Sequence, residues 1–345
     1  MSTPSSQPPF AQLTHRGQLR RLRALALLAL EAYPLTDFRL SAIQHRDNAT
    51  FRVRTDRGHF LLRLARAAYK DAATVRSEMR WLEALARDTD LRLPRPLKTR
   101  DGDLLAVVRH PGVPQPRVCV LTRWVEGRFH GQKRIKPLHL ERVGRLSAAL
   151  HRHAETFEPP AGFVRPRWDF DGLFGGSLLG GTLDEVRALL DASRRCTVDR
   201  AARRYRSALR RVGQRRGSFG LIHADLHQMN YLFSGGRAHP IDFDDCGWGY
   251  YLADIGGTLG ALSGRRDFAD LREAFLRGYL AARPLSCLDR SLLSDFVAGD
   301  RLRVAAWMAG SAENAGLRPN AARFVADRVN QIERLLPARK PRPAP

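Results

Sequence analysis

The sequence predicts an α+β protein in two lobes, a small antiparallel-sheet lobe followed by a larger, mainly helical one. Three observations carry this. Strand-like alternation runs through positions 38–65, punctuated by turn residues; one amphipathic helix follows at about 71–88; beyond Gly127 the apolar periodicity is helical almost to the end. At 345 residues and 43% hydrophobic content the chain can bury a substantial core, which excludes wholesale disorder.

Taken in order, residues 1–12 and 338–345 are rich in Pro, Ser or charge and are expected to be disordered tails. A helix is expected from about Arg16 to Tyr33. Strands follow at 38–44, 49–55 and 59–65, the last two joined by Asp56-Arg57-Gly58. The helix at 71–88 lines up Val75, Met79, Leu82 and Leu85 on one face, and strands at 104–109 and 118–124 complete a lobe spanning 13–123. The second lobe, 124–337, is expected to hold helices at 136–155, 183–212, 250–262, 268–280, 289–309 and 321–336. The stretch 158–181, full of Gly, Pro and aromatic residues, reads as an irregular insert.

Charge is the unusual global property. Fifty-eight basic against 35 acidic residues give +23, and lysine appears only at Lys70, Lys98, Lys133, Lys136 and Lys340. Such a surface attracts polyanions non-specifically, but no basic tract with interleaved aromatics marks a nucleic-acid reader. It also disfavours a polycationic substrate unless acids such as Asp169, Asp171, Asp244 and Asp245 cluster. The widely spaced Cys119, Cys196, Cys246 and Cys287 fit reduced thiols in the cytoplasm. No run is long enough to span a membrane, and the apolar stretch 24–30 is too short for a secretory signal.

The chemistry concentrates in Phe219–Asp245, FGLIHADLHQMNYLFSGGRAHPIDFDD. Here His223, Asp225 and Asn230 form H-x-D-x-x-x-x-N, and Asp242 follows in I-D-F-D-D. Tyr231-Leu232-Phe233, then Ser234-Gly235-Gly236, then 237–241 reads as a hairpin with a Gly-rich turn. A hairpin returns the chain, so Asn230 and Asp242 come together as two oxygen ligands of the kind Mg²⁺ prefers, while Asp225 can orient and deprotonate an attacking hydroxyl. His223 reads as a brace for the loop. The run His223-Ala224-Asp225-Leu226-His227 also fits an H-x-D-x-H hydrolase metal site, with His151, His153 and His239 as further candidates.

This stretch resembles the catalytic segment of the aminoglycoside phosphotransferase family, the protein-kinase-like group that includes choline kinases, type II homoserine kinases and bacterial stress-response kinases. Those proteins carry H-G-D-L-H-x-x-N followed by I-D-F-x-D; here Ala224 replaces the usual Gly. The tract Gly249–Ile255 resembles the family's D-L-A segment, whose aspartate, Asp254 here, is structural. The resemblance covers about 38–262. It implies a bilobal protein-kinase-like fold and an ATP- and Mg²⁺-dependent transfer to a hydroxyl. Asp225 is then catalytic, and Asn230 and Asp242 bind metal.

It further implies nucleotide contacts in the first lobe. Arg63 stands where a phosphate-gripping Lys is commonest, and Glu78 matches the acid that braces it. No G-x-G-x-x-G is present; 46–51 stands there instead, where Asn48, Thr50 and backbone amides can cover phosphate and a plain hairpin turn is the alternative. Backbone groups of Thr122 to Trp124 match the segment that meets adenine, although Trp124 by itself reads as core. GTP can replace ATP in such a frame. Acceptors consistent with the family are homoserine, choline, a sugar, an antibiotic or protein Ser/Thr. An inactive nucleotide-binding scaffold, suggested by Arg63 and the missing glycines, and a polyanion-binding protein remain competing readings.

Overall fold

The computed structural model describes residues 8–45, 48–66, 70–176, 181–311 and 318–336. The chain divides into two compact units, Met1–Glu126 with Pro159–Val164, and Gly127–Glu158 with Arg165–Pro345.

The first unit contains α1 (His15–Glu31), β1 (Arg39–His45), β2 (Ala49–Thr55), β3 (Gly58–Leu64), α2 (Ala72–Asp88), β4 (Pro96–Leu97), β5 (Ala106–Val108) and β6 (Arg117–Arg123). The strands form an antiparallel sheet ordered β1-β2-β3-β6-β4, with β5 also paired to β6. Strand alternation decides which residues meet which helix. Phe60, Leu62 and Leu64 join Phe51 and Val53 in a core closed by Leu22, Leu25, Ala26, Ala29 and Leu30 of α1. The alternate β3 position, Arg63, lies on the other face, where it meets α2. Asp71 caps α2 by accepting from Thr74 N, and the four residues expected on its apolar face are all buried. Pro159–Val164 joins this unit through Arg80 Nη1, which donates to Ala161 O, and Val164 N, which donates to Ser77 Oγ.

Two expectations need correction here. Phe10–Gln12 forms a 3-10 turn rather than tail, because Gln18 Nε2 donates to Phe10 O and Arg21 Nη2 to Pro8 O; residues 1–7 and 338–345 lie outside the described residues. The two-residue strand β4 carries no alternation to read and was missed.

The second unit opens with α3 (Pro137–Thr156), β7 (Arg167–Trp168), α4 (Phe170–Phe174), α5 (Leu183–Ala188) and α6 (Ala192–Val212). It continues through β8 (Phe219–Ile222), β9 (Tyr231–Ser234), β10 (Arg237–Pro240), β11 (Gly247–Tyr250), α7 (Tyr251–Gly260), α8 (Phe268–Leu280), α9 (Cys287–Gly310) and α10 (Ala321–Leu335). β9 and β10 pair as a hairpin; β11 sits between antiparallel β8 and parallel β7. The stretch expected to be an irregular insert therefore supplies a strand and a helix. The helix expected at 183–212 is two, because Asp191 accepts from Arg194 N and starts α6 afresh. Buried α9 packs against α6, α7 and α10.

Helices α3 and α8 cross backbone to backbone. A Cβ on Gly278 would sit 1.9 Å from Glu141 O, and one on Gly144 would sit 2.1 Å from Phe275 O. This close approach is what brings His151 of α3 within 2.8 Å of Tyr279 of α8. Gly144→Ala and Gly278→Ala should each force the helices apart and cost about 1–3 kcal/mol or more in urea denaturation. An unchanged midpoint would show that the crossing is slack.

Candidate active site

The loop between β8 and β9 is shaped by its own backbone and by one buried carboxylate. His227 N donates to Asp225 O and Asn230 N to His227 O, each at 2.8 Å, which curls the loop tightly. Ala224 adopts φ +67°. That left-handed geometry, where glycine is commonest in the family, costs an L-residue about 1–2 kcal/mol unless something holds it. Asp254, at the start of α7, does so: its carboxylate accepts from Ala224 N at 2.8 Å and from His223 N at 3.2 Å. Thr258, one turn on, donates Oγ1–H to Leu226 O.

Behind Asp254 lies a buried polar chain. Arg283 donates to Tyr279 OH and to Glu155, so the Tyr279 hydroxyl proton is free to go to His151 Nδ1. His151 Nε2–H then points at Asp254 Oδ2, 3.1 Å away. Burial pushes the His151 imidazole below its ordinary range. Burial would raise the Asp254 carboxyl, but His151, His223 and the Ala224 amide outweigh it and hold it low.

Past the loop, β9 and β10 close through Gly235 and Gly236, with φ +52° and +75°, the two-residue turn that matches strand twist. Pro240 pairs with Tyr231, and Ile241 N reaches Asn230 O at 3.0 Å. Asn230 and Asp242 are therefore neighbours at the open end of the hairpin. Asp242 is exposed and, at φ +62°, turned out of the strand. Asn230 Nδ2 donates to Asp225 O and Oδ2, both at 2.9 Å. With its nitrogen committed, the amide keeps Oδ1 as a hard acceptor, so the pair offers the oxygen donors that suit Mg²⁺.

Asp225 is partly shielded, its side chain 27% exposed. Oδ2 carries the Asn230 contact and lies 3.4 Å from His227 Nε2; Oδ1 lies 3.7 Å from Arg303 Nη2. Burial pushes this carboxyl above the usual carboxylate range, against the pull of His227 and Arg303; Asp245 adds to the push. Arg303 is held in place by Asp300, which also binds Arg301. A cavity of about 20 Å³, room for about one water, sits between Ala224, Trp168, Tyr205, Asp300 and Arg303.

His223 is fully buried. Its Nε2 contacts Ile241 O and its Nδ1 accepts from Asp225 N, so neither ring nitrogen faces a ligand. Among the described residues no group of three or more His, Cys, Asp or Glu is placed to hold a metal. The hydrolase reading thus loses its ligand set: His151 is spent on Asp254, and His239 Nε2 contacts Ser234 O. Of the acids thought able to cluster, Asp169 caps α4 and pairs with Arg167.

In the first unit, Arg63 and Glu78 form a bidentate pair at 2.9 and 2.6 Å, with only 7% and 1% of each residue exposed. Removing either partner would strand a buried charge at a cost of about 3–5 kcal/mol. Thr50 stands opposite Arg63 across the ladder. Asn48 uses Oδ1 to accept from Arg66 N, tying the β1–β2 turn to the end of β3; Arg46 and Asp47 lie outside the described residues. In the segment expected to meet adenine, Arg123 N donates to Arg95 O and Trp124 N to His59 O. The buried Thr122 lies in the ladder opposite Leu61. Trp124 is half-buried rather than core, with the Arg52 guanidinium 4.7 Å over its ring.

Sequence reasoning missed Arg165 and Arg303, and named His151 only as a candidate metal ligand. Each lies far along the chain from the loop it supports, and no local pattern marks it.

An antiparallel-sheet unit, a mainly helical unit and this loop-hairpin geometry define a protein-kinase-like phosphotransferase. The chain belongs to the phosphotransferase enzyme family, whose sequence model matches residues 39–289. An uncharacterized protein of Deinococcus radiodurans is 29% identical over 299 residues, covering 85% of this chain and 83% of its own. The homoserine kinase of Acidiphilium cryptum is 27% identical over 261 residues, with coverage of 74% and 76%. Among solved structures, the microcompartment-associated aminopropanol kinase superposes with a TM-score of 0.80 at 29% identity, over 91% of this chain and 97% of that one.

His151 makes stability depend on pH. Its ordinary value is 6.5, and the folded site resists protonation below that, so the unfolded chain binds more protons as pH falls. From this residue alone, stability should drop by about 1.4 kcal/mol per pH unit below that value, until the lowered folded value is reached. His151→Gln should flatten the pH 5–7 dependence of urea stability. An equal slope in the variant would place the proton uptake elsewhere.

Proposed function

We propose that this chain transfers the γ-phosphoryl group of ATP, in the presence of Mg²⁺, to a hydroxyl of a small molecule. The observation that carries the reading is the hairpin end. Asn230 is locked by its nitrogen onto Asp225 and sits beside Asp242, so a proton acceptor and two metal-facing oxygens share one rigid turn.

In this reading Asp225 orients the acceptor hydroxyl and takes its proton as the oxygen attacks phosphorus. Oδ2 is engaged by the Asn230 amide, which leaves Oδ1 for the proton. Burial pushes the Asp225 carboxyl upward, and His227 and Arg303 oppose that push. Asn230 Oδ1 and Asp242 would hold the Mg²⁺, which when bound would supply positive charge to offset that of the phosphates. Arg63, its Nη1 and Nη2 held by Glu78, would lend its positive charge to the phosphates. Catalysis then rests on positioning and charge neutralisation, with no covalent intermediate.

The kinases this chain resembles are named for homoserine and aminopropanol, both small compounds bearing a hydroxyl and an amino group. A compound of that size is the acceptor class proposed. Four free cysteines suit a cytoplasmic setting, and no helix among the described residues is long and apolar enough to cross a membrane.

Asp225→Asn removes the proton acceptor and keeps the side-chain shape. It should lower kcat by about 10²–10⁴-fold while AMP-PNP affinity stays near wild type. Wild-type turnover in that variant would take Asp225 out of this role.

A further inference from the structure

A carboxylate that is exposed and held at φ +62° keeps its direction only if the chain on both sides of it is fixed. His223 holds both immediate neighbours: the Ile241 carbonyl contacts His223 Nε2 at 3.0 Å, and the Phe243 ring packs on the His223 ring with centroids 4.7 Å apart. This tethers residues 241–243 to the catalytic loop.

Residues 244–246, further downstream, are held from elsewhere in the chain. Between the end of β10 and the start of β11 the backbone turns, with Cys246 N donating to Phe243 O. A turn of this kind leaves successive carbonyls outside any ladder, and buried carbonyls need donors. Two side chains supply them, Arg165 just before β7 and Trp168 within it. Arg165 Nη2 donates to Asp244 O at 2.6 Å, Trp168 Nε1 to Asp245 O at 2.8 Å, and Arg165 Nε to Cys246 O at 2.5 Å. Three consecutive carbonyls are thus taken by one guanidinium and one indole. Trp248 N donates to Pro166 O, and the β7–β11 ladder continues at Trp248 and Gly249. Arg165 is only 5% exposed and Trp168 likewise 5%. The short, charge-assisted bonds and the rigid fork of the guanidinium give the clamp a defined geometry that a lysine cannot reproduce.

We infer that Arg165 and Trp168 are positioning residues for Asp242: by clamping the Asp244, Asp245 and Cys246 carbonyls they set the direction in which its carboxylate meets Mg²⁺. His223 fixes the residues flanking Asp242, and this clamp fixes the turn that follows them. The inference rests on the proposed role of Asp242 as a metal ligand.

The test uses the full chain with AMP-PNP and Mg²⁺ as probes. Arg165→Lys keeps the charge but not the fork, and Trp168→Phe keeps the ring but not the donor. Both should raise the Mg²⁺ concentration needed for half-maximal AMP-PNP binding by about 10–100-fold, the range seen when a residue supporting a metal ligand is lost. Their affinity for the nucleotide in chelator should stay unchanged. Hydrogen exchange of the ligand-free protein should quicken at the amides of 243–248 and remain native in α9. Asp242→Ala serves as the reference. Folded variants with wild-type Mg²⁺ dependence, alongside lost dependence in Asp242→Ala, would overturn the clamp and leave the metal seat standing. Unchanged dependence in Asp242→Ala as well would remove the metal seat, and the clamp's purpose with it.

Discussion

The helical unit turns on the carboxylate of Asp254. It is 2% exposed and accepts from two successive amides of the loop, at His223 and Ala224, while His151 addresses the same group from α3. A buried carboxylate without such partners would be costly. With them, it holds Ala224 in a left-handed conformation and so sets the path of Asp225. The chain of contacts runs on through Tyr279 and Arg283 to Glu155, so the loop is braced by α3, α7 and α8 together. The close crossing at Gly144 and Gly278 is the packing condition for that brace.

From the loop onward, each functional side chain is placed by a neighbour rather than by its own preference. Asn230 is aimed by Asp225, and Asp242 is held through His223 on its two neighbours and Arg165 on the turn beyond. In the sheet unit, Arg63 is aimed by Glu78. Positioning of this kind suits a reaction in which the protein supplies geometry and charge and the nucleotide supplies the reactive group.

Much of this was legible in the sequence, for a physical reason. Strands with one face on a core alternate, and α2 repeats its apolar positions every turn, so β1–β3, β6 and α2 could be read within a few residues of their ends. The hairpin was equally readable, since Gly235-Gly236 between two apolar runs admits few structures. What escaped reading depends on partners distant in sequence. β4 and β7 are two residues each and carry no period; the break before α6 is a single cap at Asp191; Arg165 gains meaning only beside residues 244–246. Trp124 misled because size suggests core, whereas it carries Arg52 on its face. The bonds that hold residues 122–124, to β3 and to Arg95, likewise come from partners distant in sequence.

The central claim is that Asn230 and Asp242 form a metal seat for a bound nucleotide. Thermal unfolding with Mg-ATP, with ATP and chelator, and without ligand tests it most directly, for wild type and Asp242→Ala. Ligand at one hundred times its Kd should stabilise the wild type by about 2.7 kcal/mol. The account predicts a rise in midpoint that needs Mg²⁺ and disappears in Asp242→Ala. No shift at millimolar ATP, or a shift indifferent to both the metal and the substitution, would contradict it.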